Sequence, residues 1–202
     1  MDYAGVLTPG VADSWRAFEA EHGIPARTIA SILWAAYEPG ESGDNPIAML
    51  ERGELEVGEF EQRLAQQLRD EGHDVEAEGL VAALFRDLQP AGGVWDLVRD
   101  VRAAGVPTVL VSNSWGFSGY PRAMLEAAFD ELVLSGEVGM RKPNRDIFEH
   151  AASLVGASLE DSVFIDDAPA NVRAAEGYGL TGVLHGGDDD ATRAAVLAGL
   201  GL

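Results

Sequence analysis

The chain of 202 residues has no cysteine, which removes disulfides, thiolate nucleophiles and thiolate metal sites. Positive charge is scarce. Fourteen Lys and Arg stand against 34 Asp and Glu, a net charge of −20, so neither nucleic acid nor an anionic membrane is expected as a partner. No apolar run approaches the length of a membrane span, and Met1-Asp2 is not the basic start of a signal peptide. These absences predict a soluble, cytoplasmic protein. What the chain does have is apolar content, 47% of residues, enough for one large domain or for a core domain with an inserted cap.

The stretch that organises the rest is Ser162-Val163-Phe164-Ile165-Asp166-Asp167-Ala168-Pro169-Ala170-Asn171. Val, Phe and Ile between polar residues read as a short strand buried on both faces. Two adjacent carboxylates where that strand stops are costly unless a cation or hydrogen-bond donors neutralise them. They also stand at the carboxyl end of a strand, where open α/β sheets bind ligands.

The second half alternates strand and helix. Residues 92–104 carry Val94, Leu97, Val98 and Val101 on one helical face, and residues 106–111 form a strand that delivers Ser112-Asn113-Ser114 at its end. A helix over 123–129 and a strand over 132–134 follow. Residues 136–143 read as a loop carrying Arg141 and Lys142, with Pro143 fixing an extended backbone before it. A helix over 147–155, the strand of the Asp pair, a helix over 171–178, a strand over 181–184 and a helix over 191–197 complete the pattern. That alternation predicts a doubly wound parallel sheet, Rossmann-like in layout.

The first half differs. Residues 11–88 show helical spacing and no strand pattern, with a Gly- and acid-rich loop over 39–46. The reading is an α-helical cap (residues 11–88) inserted into a core of residues 1–10 and 89–202. Trp15, Trp34, Tyr37, Arg52 and Arg63 are either pocket-lining residues or, as is commoner, helix-packing aromatics and solvated charges. Asp2-Tyr3-Ala4-Gly5 fits a carboxylate on a turn after a strand. Only Met1 precedes it, whereas a buried strand runs about five residues; the strand is a stub, the start is placed late, or the terminus is frayed.

Together, four strand ends offer Asp2, Ser112, Lys142 and the Asp166/Asp167 pair. This set suits a carboxylate nucleophile, a hydroxyl and a cation for a phosphoryl group, and an acidic pair for Mg²⁺. The segments DYAGVLT, VLVSNS, RKPNRDIF and VFIDDAPANVRAAEGYG, in this order, resemble the four motifs of the haloacid dehalogenase (HAD) superfamily of hydrolases. The likeness is to members with a helical cap, near the phosphatase-like group of epoxide hydrolase amino-terminal domains. The resemblance implies Asp2 as nucleophile, Ser112 and the Asn113 backbone N–H as phosphoryl-binding groups, and Lys142 as the neutralising cation. It implies a Mg²⁺ site made by Asp2, the Ala4 carbonyl, Asp167 directly and Asp166 directly or through water, with Asn171 supporting. The expected activity is a Mg²⁺-dependent phosphatase acting on a small phosphorylated metabolite through an aspartyl-phosphate intermediate.

One position departs from the pattern. The family's phosphatases usually carry a second Asp two residues after the nucleophile, as general acid and base, and here that residue is Ala4. A positioned acid–base group contributes roughly 10²–10⁴-fold. Low-pKa leaving groups need it less, and a cap acid such as Glu54, Glu56 or Glu59 is a conceivable substitute. Ala4 also keeps two alternatives open: a catalytically degenerate binding protein, and a metal-independent 2-haloacid dehalogenase.

Overall fold

The computed structural model describes residues 1–35, 45–116 and 119–202. Tyr37, the Trp34 side chain and most of the 39–46 loop lie outside the described residues.

The first half folds as helices: α1 (Val11–Glu21), α2 (Thr28–Ala35), α3 (Pro46–Glu51), α4 (Val57–Asp70) and α5 (Leu80–Leu84). Asn45 caps α3 by accepting the Ile47 and Ala48 N–H groups, with Pro46 at the first helical position. In α4, Phe60, Leu64 and Leu68 recur at helical spacing and are buried. They pack with Trp15, Phe18, Ile29, Leu33, Leu50, Leu80 and Leu84 into a core of their own. Two buried carboxylates serve helix starts inside this layer. Glu19 accepts the N–H groups of Arg27 and Ile29, and Glu61 those of Gly79 and Val81.

The second half runs α6 (Val94–Ala103), β1 (Val109–Ser112), α7 (Arg122–Ala128), β2 (Glu131–Leu134), α8 (Ser135–Val138), α9 (Arg145–Leu154), β3 (Val163–Asp166), α10 (Pro169–Gly177), β4 (Thr181–Leu184) and α11 (Asp189–Leu200). β1 pairs with β2 and β3 with β4, both in parallel. Successive strand residues feed opposite layers, as a pleated strand requires. Leu110, Leu134 and Ile165 face α6, α7 and α11, through Leu97, Val101, Leu125 and Val196. Val111, Val133 and Phe164 face α9 and α10, through Ile147, Phe148 and Ala175. This is an α/β architecture with helices on both faces of parallel strands, as the alternating pattern predicts.

Two local readings need correction. Residues 135–138, overlapping the start of the loop expected over 136–143, form the short helix α8. The strand expected from 106 starts at Val109, because the Thr108 N–H goes to the Asp130 carboxylate at 2.8 Å and leaves the ladder.

The two strand pairs are joined by Met1 and Asp2. The Met1 amino group donates to the Val109 carbonyl at 2.8 Å and the Val111 N–H to the Met1 carbonyl at 2.8 Å, while the Asp2 N–H donates to the Ile165 carbonyl at 2.9 Å. The spatial order is therefore β2-β1-(Met1–Asp2)-β3-β4, with Asp2 between the carboxyl ends of β1 and β3. Beyond Met1, the space between β1 and β3 is an apolar cavity of about 160 Å³ lined by Val109, Phe148, Val163 and Phe164 among others. Among the described residues no helix is long and apolar enough to cross a membrane.

Candidate active site

Ser112 ends β1 and Asp166 ends β3, so parallel pairing brings both to the edge where Asp2 emerges. Lys142 reaches the same point from the turn after α8, with its Nζ over the Phe164 ring, 5.6 Å from the centroid. Its ammonium is 1% exposed and bridges two carboxylates, Asp2 Oδ1 at 2.6 Å and Asp166 Oδ2 at 2.8 Å. Burial acts to lower the Lys142 pKa, but Asp2 and Asp166 hold the ammonium above its ordinary value.

Asp166 is an organiser. Its Oδ1 accepts the Ala168 N–H at 2.8 Å and Asn171 Nδ2 at 3.1 Å, and its Oδ2 accepts Lys142 and Asn171 Nδ2. Three donor groups, with Asn171 Nδ2 shared between both oxygens, occupy the carboxylate. The neighbouring Asp167 is exposed. Ligand oxygens of Asp2, Asp166 and Asp167 lie within 4.8 Å of one another. Three carboxylates around one ammonium leave a surplus of negative charge. Accordingly, burial and Asp166 push Asp2 up to about 7, against the opposing pull of Lys142, and they raise Asp167 as well. An all-oxygen donor set with excess negative charge fits a hard divalent cation such as Mg²⁺.

The turn after Asp2 is built around Asp167. Gly5 has φ +78°, and a Cβ placed on it would stand 2.1 Å from Asp167 Oδ2. Glycine is needed there both for the left-handed backbone and for the close approach. Gly5→Ala is therefore expected to displace Asp167 and, where Asp167 is a ligand of Mg²⁺, to weaken its binding by about 10–100-fold in isothermal titration. Unchanged affinity would show that Asp167 does not contact the metal.

Ser112 is 2% exposed, and its Oγ is 2.9 Å from the Tyr120 hydroxyl. The Tyr120 ring lies 5.0 Å from that of Tyr3, and burial pushes the Tyr120 phenol well above its usual range, so it stays protonated. The Asn113 side chain clamps the Lys142 backbone, accepting its N–H at 2.8 Å and donating to its carbonyl at 3.0 Å. Asp2, Ser112, Asn113, Lys142, Asp166, Asp167 and Asn171 thus converge at one strand edge. Ala4 lies half-buried in the Asp2–Gly5 turn.

The other candidates stand apart. Trp15 is buried in the helical layer. Arg52 pairs with Glu54 and Arg63 with Glu59 on the surface, and Glu56 is exposed. Two residues escaped the sequence reading. Tyr120 carried no signal. Glu51 did: an acid at the last position of a helix opposes the helix dipole and needs a strong partner. It is 1% exposed, and Arg141, Asn113 and Trp115 all donate to its carboxylate.

A family model described as haloacid dehalogenase-like hydrolase matches residues 1–179. A sesquiterpene phosphatase of Aspergillus oryzae is 30% identical over 149 residues, 70% of this chain and 72% of that protein. Mouse bifunctional epoxide hydrolase 2 is 24% identical over 200 residues, 91% of this chain; the match spans only 35% of that relative's length. Among solved structures, a predicted HAD-like family hydrolase from Porphyromonas gingivalis superposes with a TM-score of 0.70 at 25% identity, covering 98% of this chain and 95% of the other.

Proposed function

The chain belongs to the haloacid dehalogenase-like hydrolase family and is a hydrolase, and from that footing we propose that it is a Mg²⁺-dependent phosphatase for a small phosphorylated metabolite. The observation that carries this reading is the Lys142 ammonium held between Asp2 and Asp166 beside an acidic cluster. The phosphatase named among the relatives supports it.

Asp2 is the nucleophile. One of its carboxylate oxygens bonds to phosphorus as the bond to the leaving oxygen breaks, giving an aspartyl phosphate that water then hydrolyses to inorganic phosphate. Lys142 orients Asp2 and offsets the repulsion between a carboxylate and an anionic phosphoryl group. The Ser112 hydroxyl and Asn113 backbone N–H bind phosphoryl oxygens. Asp2, the Ala4 carbonyl and Asp167 would hold Mg²⁺, with Asp166 and Asn171 behind them. When bound, the ion supplies charge stabilisation to the transferring phosphoryl group. Residues 11–88 act as a cap over a core of residues 1–10 and 89–202, and the substrate's organic portion is read between the two.

Ala4 cannot protonate a leaving group, so the site is suited to esters whose leaving group departs as an anion. The test is hydrolysis of p-nitrophenyl phosphate and of an alkyl phosphate with Mg²⁺, with EDTA and after Mg²⁺ is restored. Turnover should require Mg²⁺, and the aryl ester should be preferred by roughly 10²–10⁴-fold. Metal-independent halide release from 2-haloacids would replace this reading with a dehalogenase. Phosphate binding without turnover of either ester would replace it with a binding protein.

A further inference from the structure

Of the five helices' described carboxylates, three are nearly or fully buried, and they are used differently. Glu19 and Glu61 satisfy N–H groups of their own layer. Glu51, at the end of α3, spends its charge on the core. Its Oε2 accepts Arg141 Nε at 2.6 Å and Asn113 Nδ2 at 3.2 Å, and its Oε1 accepts Trp115 Nε1 at 3.3 Å. These donors come from the two turns that present the phosphoryl-binding groups, the one following Ser112 and the one carrying Lys142. Asn113 is the joint between them, because the same side chain that donates to Glu51 also holds the Lys142 N–H and carbonyl.

Neighbouring contacts make the seam stiff. Ser135 Oγ accepts the Ser114 N–H at 2.8 Å and Ser114 Oγ accepts the Gly136 N–H at 3.0 Å. A Cβ on Gly53, two residues after Glu51, would stand 2.6 Å from the Gly136 carbonyl oxygen. Trp115 carries the turn into the helical layer, edge-on to Phe60 at 5.3 Å and to Phe85 at 5.0 Å. A carboxylate with three donors at a stiff seam fixes orientation more effectively than one at a mobile surface.

We propose that Glu51 is a positioning residue: through Arg141 and Asn113 the cap sets the turn from which Asn113 and Lys142 grip the phosphoryl group. This rests on the phosphatase reading for its catalytic consequence, while its structural consequence can be read without turnover. Glu51→Gln retains the acceptor for Trp115 or Asn113 but loses the charge that holds Arg141. Glu61→Gln, a change to a buried carboxylate confined to the cap, is the control.

Both variants should melt earlier than wild type. Only Glu51→Gln should speed hydrogen exchange of the Lys142 amide segment, raise the inhibition constant for inorganic phosphate and lower kcat/KM for p-nitrophenyl phosphate by about 10–100-fold, the range for outer-layer partners of a site. Arg141→Met should reproduce the effect, and the double variant should add little to either single change. If Glu51→Gln fails to fold, Arg141→Met carries the same test. Exchange at the Lys142 segment as slow as wild type, or equally faster in Glu61→Gln, overturns the inference. Inactivity of wild type would sink the phosphatase reading while leaving the exchange result to decide the role of Glu51.

Discussion

Asp2→Asn is expected to abolish turnover of p-nitrophenyl phosphate, by on the order of 10⁴-fold or more, with the fold intact. The amide is nearly the shape of the carboxylate but is a far weaker nucleophile toward phosphorus, so the covalent intermediate cannot form. The fold survives because Lys142 keeps Asp166 at 2.8 Å, and Asp166 keeps the Ala168 and Asn171 donors.

The same variant has a signature in stability. Burial, with Asp166 adding to it, raises the Asp2 carboxyl to about 7 against 3.8 for the free group. A folded pKa above the unfolded value means the fold favours the protonated form. That contribution is fully present below about 3.8 and is lost as pH rises through about 7. Asn mimics the protonated form at every pH. Without metal, Asp2→Asn should therefore melt at or above the wild-type temperature at pH 8 and close to it at pH 4, by calorimetry across that range. Mg²⁺ should stabilise wild type more than the variant. Residual turnover near wild type would remove Asp2 as the nucleophile, and a melting temperature far below wild type at pH 8 would contradict the charge surplus described here.

The core was legible because its strands are short apolar runs with punctuation. Val163-Phe164-Ile165 is flanked by Ser162 and the Asp pair, and Val109-Leu110-Val111 by Pro107 and Ser112. Alternation between two buried faces leaves no other arrangement than helices on both sides. The gathering of Asp2, Ser112 and the Asp166/Asp167 pair was legible for a related reason: carboxyl ends of parallel strands lie at one edge, whereas Lys142 arrives from the turn after α8. What escaped were the side-chain contacts between the helical layer and the turns of the core, and the seating of the first two residues. Trp115 reads as part of a polar turn, yet it is packed against Phe60 and Phe85 from another layer. Glu51 is one of 34 acids; its place at the end of α3 calls for a partner, but only the fold brings up Arg141, 90 residues away, with Asn113 and Trp115. The Met1–Asp2 segment has too few residues to carry a period, and its place between β1 and β3 is set by three backbone bonds together with the Asp2–Lys142 ion pair.

Lys142→Met should be the most damaging single change to stability. Met is close to the apolar stem in length and carries no charge, so the loss isolates the ammonium, its place over the Phe164 ring included. That ammonium is 1% exposed and is the shared partner of Asp2 and Asp166. Removing it leaves two carboxylates facing each other with Asp167 beside them, and breaking a buried pair of this kind costs about 3–5 kcal/mol. For a chain of this size that corresponds to a melting temperature lower by roughly 6–20 °C. The deficit should shrink as pH falls and the carboxylates protonate, and also on adding Mg²⁺, because either change removes the surplus negative charge. Turnover should not return with stability: the ion can neutralise the cluster, but in the proposed mechanism Lys142 also aims Asp2 at the phosphoryl group, and Met cannot. Thermal melts at pH 5 and pH 8, with and without Mg²⁺, beside turnover of p-nitrophenyl phosphate, separate the two roles. A variant that regains both stability and turnover in Mg²⁺ would show Lys142 to be a counterion only, and one that melts like wild type at pH 8 without metal would show that the carboxylates do not need it.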